Sequence, residues 1–360
     1  MSQRFDSSSV ARLLVVMPTW LGDCVMATPT LRALRQLFPA SQTQITVLVR
    51  KNVRPMIAGT PWIDRMVTIR HGGRDSSIGQ IRRLAQRRFD AAVLLPNSFR
   101  SAFIVATSGI KRRVGYDRDG RGFLLTDRLI PRRGSEGFVP VPTLDYYLGL
   151  ARYLGADHPD PAMALFTQPE DDAKADALLA GAGYGVGDAR PLVVLNPGAQ
   201  KKAKRWPAAC YGALADRLTD QHGACVAVTG SPAEKSILES VVSSAKSPMI
   251  NLASLPIHLT LVKSMVRRAS LMVTNDTGPR HLAAAMNVPV VTLFGPTSPD
   301  WTQIDFDHER QIISPGPSPQ HDHESDYISA RKSMHRITVD EVFKAAEELL
   351  SLRESVVARP

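Results

Sequence analysis

The chain has 360 residues, 44% of them hydrophobic and 22% charged, with a formal net charge of +10. That length suits about two domains of roughly 150–200 residues, and the balance is that of a soluble globular protein. No apolar run approaches the roughly 18–20 residues of a membrane helix. The opening "MSQRFDSSSV" is polar and the "LLVVM" after it is too short and too β-branched for a signal-peptide core, so a cytoplasmic location is expected.

In chain order, strands alternate with helices. "LLVVM" (Leu13–Met17) reads as a buried strand and Val25–Leu37 as a helix with Pro29 near its first turn. The strands Ile45–Val49, Met66–Ile69 and Ala91–Leu95 follow, and Leu144–Leu154 reads as a helix that closes this half. A stretch rich in Pro, Gly, Ala and Asp then marks the junction between two domains, 1–170 and 171–337. The pattern restarts with strand Leu192–Leu195, helix Ala208–Gln221, strand Cys225–Gly230 and helix Ala233–Ser244. Next come helix Pro256–Arg268, strand "LMVTN" (Leu271–Asn275), helix Pro279–Met286 and strand Val288–Phe294. In the tail, 338–360, Thr338 and Glu341 have the capping-box spacing at the start of an amphipathic helix. Continuous apolar strands between helices indicate parallel sheets covered on both faces. Two such doubly wound α/β units joined by a linker bind ligands in the cleft between them, at the carboxyl ends of their strands.

Four loops after strands carry chemistry. In "PTWLGDCVMATP", Asp23 stands at a helix start, where it is either a cap or a general base. Cys24 beside it is core or site wall. In "NPGAQKKAKRWP", a Gly turn, the cations Lys201, Lys202, Lys204 and Arg205, and a following helix start suit an anion, or form a solvated basic loop. The spacing is neither that of a P-loop nor that of the dinucleotide fingerprint. In "TGSPAEKS", Glu234 is placed to hold a ribose or to face a helix dipole. In "TNDTGPRHLAAA", Asp276, Thr277 and Gly278 form a turn, Pro279 suits the first helical position and His281 follows. The turn suits a phosphate. A single Asp-Thr-Gly in an α/β chain is not the paired carboxylate site of an aspartic protease.

Cys210 and Cys225 read as core residues, and three distant cysteines make neither a metal site nor a disulfide framework. Between Arg82 and Arg133 stand thirteen Lys/Arg and four Asp/Glu, which is almost the whole positive excess of the chain. Such a stretch is either a solvated basic face or a surface for polyanions.

Together, "MPTWLGDCVMATPTLRALRQLFP", "NPGAQKKAKRWP", "TGSPAE" and "TNDTGPRHLAAAMNVPVVTLFGPTSP" resemble the bacterial ADP-heptose:lipopolysaccharide heptosyltransferases of glycosyltransferase family 9, most closely the heptosyltransferase II branch. The likeness runs from about Leu13 to Phe343. It implies a GT-B fold, with two Rossmann-like domains and a C-terminal helix that crosses back to the first. It implies a metal-independent, inverting transfer of heptose from ADP-heptose to the inner core of lipopolysaccharide, with no cofactor. The acceptor is then Kdo-lipid A or heptosyl-Kdo-lipid A. Carried over, Asp23 is the base and Lys204 neutralises the diphosphate as the second catalytic residue. Lys201, Lys204, Ser231, Glu234, Asp276, Thr277, Gly278 and His281 bind the donor. An anionic acceptor would meet the basic stretch, where Arg112, Arg113 and Arg118 are the candidate acceptor residues. The same surface would give peripheral contact with the anionic cytoplasmic face of the inner membrane. No nucleic-acid partner is expected.

The segment "SPQHDHESDYISARKSMHRI" departs from the branch, whose members often carry cysteines there. It holds His321, His323 and His335 and reads as a loop rather than a metal site. Two other readings stay open. One is a family 9 enzyme with another donor or acceptor. The other is a non-catalytic protein that holds anionic lipid or RNA on its basic face.

Overall fold

The apolar runs become the central strands of two parallel sheets. The computed structural model describes residues 9–69, 77–134, 137–255, 258–295, 298–315 and 333–357. The chain divides into two units, Met1–Leu165 with Asp300–Asp305, and Phe166–Pro299 with Phe306–Pro360.

In the first unit, β1 (Arg12–Val16), β2 (Gln44–Arg50), β3 (Arg65–Ile69), β4 (Ala91–Leu94), β5 (Arg112–Tyr116) and β6 (Asp127–Leu129) form one sheet of order β3-β2-β1-β4-β5-β6. All its neighbours are parallel. A small antiparallel hairpin joins β7 (Arg133–Gly134) to β8 (Gly137–Phe138). In the second unit, β9 (Leu192–Asn196), β10 (Cys225–Val228), β11 (Met249–Asn251), β12 (Leu271–Asn275), β13 (Val290–Phe294) and β14 (Glu309–Ile313) give the order β11-β10-β9-β12-β13-β14, again all parallel. Both are the doubly wound order in which chain progression reverses at the first strand. The reversal lies between β1 and β4 in one sheet and between β9 and β12 in the other. Loops leaving those strands diverge, and the gap between them is where ligands bind.

The helices flanking the first sheet are α1 (Leu21–Met26), α2 (Thr28–Leu37), α3 (Arg54–Ile57), α4 (Ser77–Ala85), α5 (Phe99–Thr107) and α6 (Thr143–Leu154). Those of the second unit are α7 (Pro169–Gly181), α8 (Ala208–His222), α9 (Lys235–Ser244), α10 (Leu259–Val266), α11 (Gly278–Ala285) and α12 (Val339–Val357). β1 shows why its run is uniformly apolar. Leu13 and Val15 point into one core cluster, with Leu31, Leu34 and Phe38, while Leu14 and Val16 point into another, with Leu84, Val105 and Leu125. A strand buried on both faces has no polar side to alternate with.

Several expectations are corrected. The helix expected over Val25–Leu37 is two, α1 and α2, because the chain breaks at Ala27 and Pro29 restarts it without a backbone N–H. The terminal helix was expected to return to the first unit. It is built into the second instead, where Val342, Phe343, Ala346 and Leu349 pack with Trp206, Leu214 and Leu218. The segment that belongs with the first unit is Asp300–Asp305. The capping box does open α12: Thr338 N donates to Glu341 Oε2 at 2.8 Å and Glu341 N to Thr338 Oγ1 at 3.2 Å. Cys210 and Cys225 are half-buried rather than interior. His321 and His323 lie outside the described residues. Among the described residues, no helix is long and apolar enough to cross a membrane.

Candidate active site

The carboxyl edge of the second sheet is laced together by side chains from its own loops. β9 ends at Asn196, whose Nδ2 donates to the carbonyl of Thr229 at the end of β10 (3.0 Å). β12 ends at Asn275, whose Nδ2 donates to the carbonyls of Pro197 (2.9 Å) and Gly198 (3.3 Å) in the loop after β9. The Oδ1 of Asn275 accepts from the Trp206 backbone N–H and the Tyr211 hydroxyl, each at 3.2 Å. These buried amides meet their hydrogen-bonding needs by fixing loops, which is the arrangement that buried polar groups demand.

On that scaffold, the predicted donor residues converge. Lys204, at the end of a short 3-10 turn, reaches across the switch point and donates from Nζ to Asp276 Oδ2 at 3.0 Å. Asp276 is almost wholly buried, and Arg280 Nη1 stands 3.6 Å from its other oxygen. Burial opposes ionisation of Asp276, but Lys204 and Arg280 outweigh it and hold the carboxyl below its usual range. Arg280 is itself fully buried and forked onto Glu309, with Nε to Oε1 at 2.6 Å and Nη2 to Oε2 at 2.9 Å. The Glu309 carboxylate also accepts from Thr292 and Gln311.

Glu234 faces the same edge from the loop after β10. Its Oε2 accepts from the Ser231 backbone N–H at 2.8 Å and from the Ser231 hydroxyl at 2.7 Å, closing a capping box. Its carboxylate also lies against Gly198, where an added Cβ would fall 2.1 Å from Oε1. The glycine thus lets the carboxylate sit against the loop after β9. Thr277 is the N-cap position of α11 without a side-chain cap, and Gly278 is the first helical residue. The Thr277 hydroxyl donates to the Asn275 carbonyl at 3.2 Å, so the first N–H groups of α11 keep no side-chain partner from the cap. Lys201 is the N-cap and Lys204 the last residue of the 3-10 turn after β9. His281, a candidate donor-binding residue, lies in the first turns of α11. It is buried, its Nδ1 has no hydrogen-bond partner among the described residues, and burial followed by the nearby Arg280 pushes its pKa down to about 3. It is a neutral imidazole.

In the first unit, Asp23 stands in the first turn of α1, immediately after β1. The N-cap is Trp20, with no side-chain cap, and the Asp23 carboxylate forms no hydrogen bond or ion pair among the described residues. The cap reading therefore has no bond to rest on. Burial pushes Asp23 up to about 6, inside the window of a base that works near neutral pH. Burial also pushes the Cys24 thiol up, helped by Asp23, and its Sγ contacts the Pro18 carbonyl at 3.1 Å. A protonated thiol is no nucleophile.

The three candidate acceptor arginines separate. Arg112 is forked onto Asp127, with Nη2 to Oδ1 at 2.7 Å. Arg113 spends its guanidinium on the carbonyls of Leu124 and Ile110, both at 2.6 Å. Both brace β5. Arg118 alone of the three faces an open pocket.

The sequence profile of glycosyltransferase family 9 (heptosyltransferase) matches residues 79–328. The chain belongs to glycosyltransferase family 9. It is 31% identical over 313 residues to lipopolysaccharide heptosyltransferase 2 of Escherichia coli, covering 84% of this chain and 87% of that one. It is 32% identical over 305 residues to lipooligosaccharide heptosyltransferase 2 of Haemophilus ducreyi, covering 81% and 85%. The solved structure of Escherichia coli ADP-heptose LPS heptosyltransferase II superposes with a TM-score of 0.77 at 27% identity, over 95% of this chain and 99% of that one. The protein is thus a glycosyltransferase with the GT-B fold.

Sequence reasoning singles out neither Asn196, Asn275, Arg280 nor Glu309 of this family member's site. The available signal is a polar or charged residue at the end of a buried strand or inside an apolar helix start, a position that burial forbids unless the group is bonded.

Proposed function

We propose that the protein is an inverting, metal-independent heptosyltransferase that moves heptose from ADP-heptose to the inner core of lipopolysaccharide, on the cytoplasmic side of the membrane. The observation that carries this reading is the Lys204–Asp276 pair at the switch point of the second sheet, with Glu234 on the neighbouring loop and the open start of α11 beside it. The names of the relatives supply the sugar and the acceptor.

The chemistry follows from the residues. As the anomeric C–O bond breaks, charge grows on the departing diphosphate, and preorganised cations and N–H donors stabilise it most where water is excluded. Lys204 and the first N–H groups of α11 fill that role, with Lys201 assisting. Asp276, held ionised by its two cations, accepts from sugar hydroxyls. Glu234 and Ser231 hold the ribose. The neutral His281 shapes the wall and carries no charge to the phosphate. Asp23 takes the proton of the acceptor hydroxyl, whose oxygen attacks the anomeric carbon from the face opposite the leaving ADP and inverts it.

The test is ADP release from ADP-heptose in the presence of Kdo-lipid A and, in parallel, of heptosyl-Kdo-lipid A. Wild type releases ADP at an unchanged rate in EDTA. Asp23→Ala abolishes release while its affinity for ADP stays within about twofold. Full turnover by Asp23→Ala removes the base assignment, and strong inhibition by EDTA removes metal independence.

A further inference from the structure

The chemistry above asks two things of Lys204. Its ammonium is bonded to Asp276 Oδ2 at 3.0 Å, and the same charge must meet the departing diphosphate. A buried carboxylate that gives up its cation is left costly, because no water takes the place of the lost charge. The structure supplies a second cation on the other side. Arg280 Nη1 stands 3.6 Å from Asp276 Oδ1, the oxygen that Lys204 does not hold.

Exposure separates the two cations. The Lys204 side chain is 20% exposed and open to a ligand, whereas that of Arg280 is 0% exposed and cannot touch one. Arg280 is fixed in place. It is forked through Nε and Nη2 onto Glu309, and its guanidinium lies 5.0 Å over the Phe294 ring. Glu309, on β14, is held in turn by the Thr292 hydroxyl and by Gln311 Nε2 at 2.9 Å. Lys204, Asp276, Arg280 and Glu309 thus form a chain of charges of alternating sign, and only its Lys204 end is open to solvent.

Stability of the fold does not call for the inner pair. Arg280 lies in the first turn of α11, where a cation opposes the helix dipole. Buried ion pairs can often be replaced by neutral side chains of similar volume without loss of stability. What neutral side chains cannot supply is a cation facing Asp276.

We propose that the Arg280–Glu309 pair is a positioning device for Lys204: Arg280 braces the Asp276 carboxylate from within, and this leaves the Lys204 ammonium able to turn to a diphosphate. Glu309 keeps Arg280 in place. Without the pair, Asp276 draws more of the Lys204 charge to itself, and less is offered to the leaving group. The inference rests on Lys204 meeting the diphosphate of the donor.

The experiment measures ADP affinity by calorimetry and kcat for heptosyl transfer, on full-length variants near neutral pH. Arg280→Met/Glu309→Gln, its folding checked by Tm, binds ADP about tenfold more weakly and has a kcat about tenfold lower, with the acceptor KM unchanged. In an Asp276→Asn background the same two substitutions change ADP affinity by less than about twofold, because the carboxylate that Arg280 braces is gone. A packing defect weakens ADP binding equally in both backgrounds, and that result overturns the proposal. A double variant with wild-type ADP affinity overturns it too. Arg280→Lys, which keeps a cation between the two carboxylates, stays within about threefold of wild type, and a loss there as large as that of the neutral pair also overturns it. A wild type that binds ADP without using ADP-heptose overturns the sugar assignment, and the ADP measurements still decide the role of the pair. A wild type that does not bind ADP overturns both.

Discussion

Asp23→Asn separates activity from stability in one experiment. The substitution keeps the shape of the side chain and removes its charge. The Asp23 carboxyl is raised by burial from 3.8 to about 6. At about 1.4 kcal/mol per pH unit, ionising it in the folded protein costs roughly 3 kcal/mol more than in the unfolded chain. The sign follows from proton binding. Above pH 6 both states hold the carboxylate, and the folded state carries the whole penalty. Between pH 6 and 3.8 the folded state keeps its proton while the unfolded state loses it, so the penalty shrinks as pH falls. Below 3.8 both are protonated and the penalty is gone. Asp23→Asn therefore stabilises the protein by up to about 3 kcal/mol at pH 8 and by almost nothing near pH 3.5. At roughly 2–4 °C of Tm per kcal/mol for a domain of this size, calorimetry at pH 8 reads a rise of several degrees. The same protein has lost transfer, because an amide cannot take the proton. The wild-type acceptor kcat/KM falls about tenfold per pH unit below 6. A variant no more stable than wild type at pH 8, or one that still transfers, refutes the argument that a desolvated carboxylate is kept there for its basicity.

Three further outcomes are expected on the donor side. Lys204→Ala lowers kcat about 100- to 1,000-fold, the usual loss when one charge-stabilising group is removed, and leaves the acceptor KM unchanged; steady-state kinetics with both substrates varied check it. Arg280→Met strands the buried Glu309 carboxylate and destabilises the protein by about 3–5 kcal/mol, read by urea denaturation, whereas the double variant Arg280→Met/Glu309→Gln recovers much of the loss. Gly198→Ala drives a methyl into the Glu234 carboxylate, and calorimetry shows weaker ADP binding with little change in Tm.

The central strands were legible because a strand buried on both faces reads as a continuous apolar run, as in "LLVVM" and "LMVTN". Of the outer strands, β3 was read but most of the others were not. β5 is "RRVGY", β6 is "DRL" and β14 is "ERQII", and their charged residues pair locally, as Arg112 with Asp127 and Glu309 with Arg280. Such pairing is a three-dimensional fact that no periodicity reports. The break at Ala27 was hidden for a similar reason, because Pro29 permits either a helix start or a first-turn position. On the donor side, the loops were readable from turn residues and helix starts: Lys204 pairs with Asp276, and Glu234 lies on a neighbouring loop of the same edge against Gly198. What the sequence did not disclose was which of its charges are spent on holding the fold. Arg112 and Arg113 look like Arg118 in the sequence, yet backbone carbonyls and Asp127 claim them and leave Arg118 facing the pocket. The neutrality of His281 likewise comes first from burial, which its sequence neighbours do not report, and only second from the adjacent Arg280.

The most direct test of the central claim is analysis of the product formed from ADP-heptose with purified Kdo-lipid A and with heptosyl-Kdo-lipid A. Mass spectrometry and NMR should show one heptosyl residue added, with an anomeric configuration opposite to that of the donor, and no product from Asp23→Asn. Unconsumed ADP-heptose, or a product that retains the donor configuration, would contradict it.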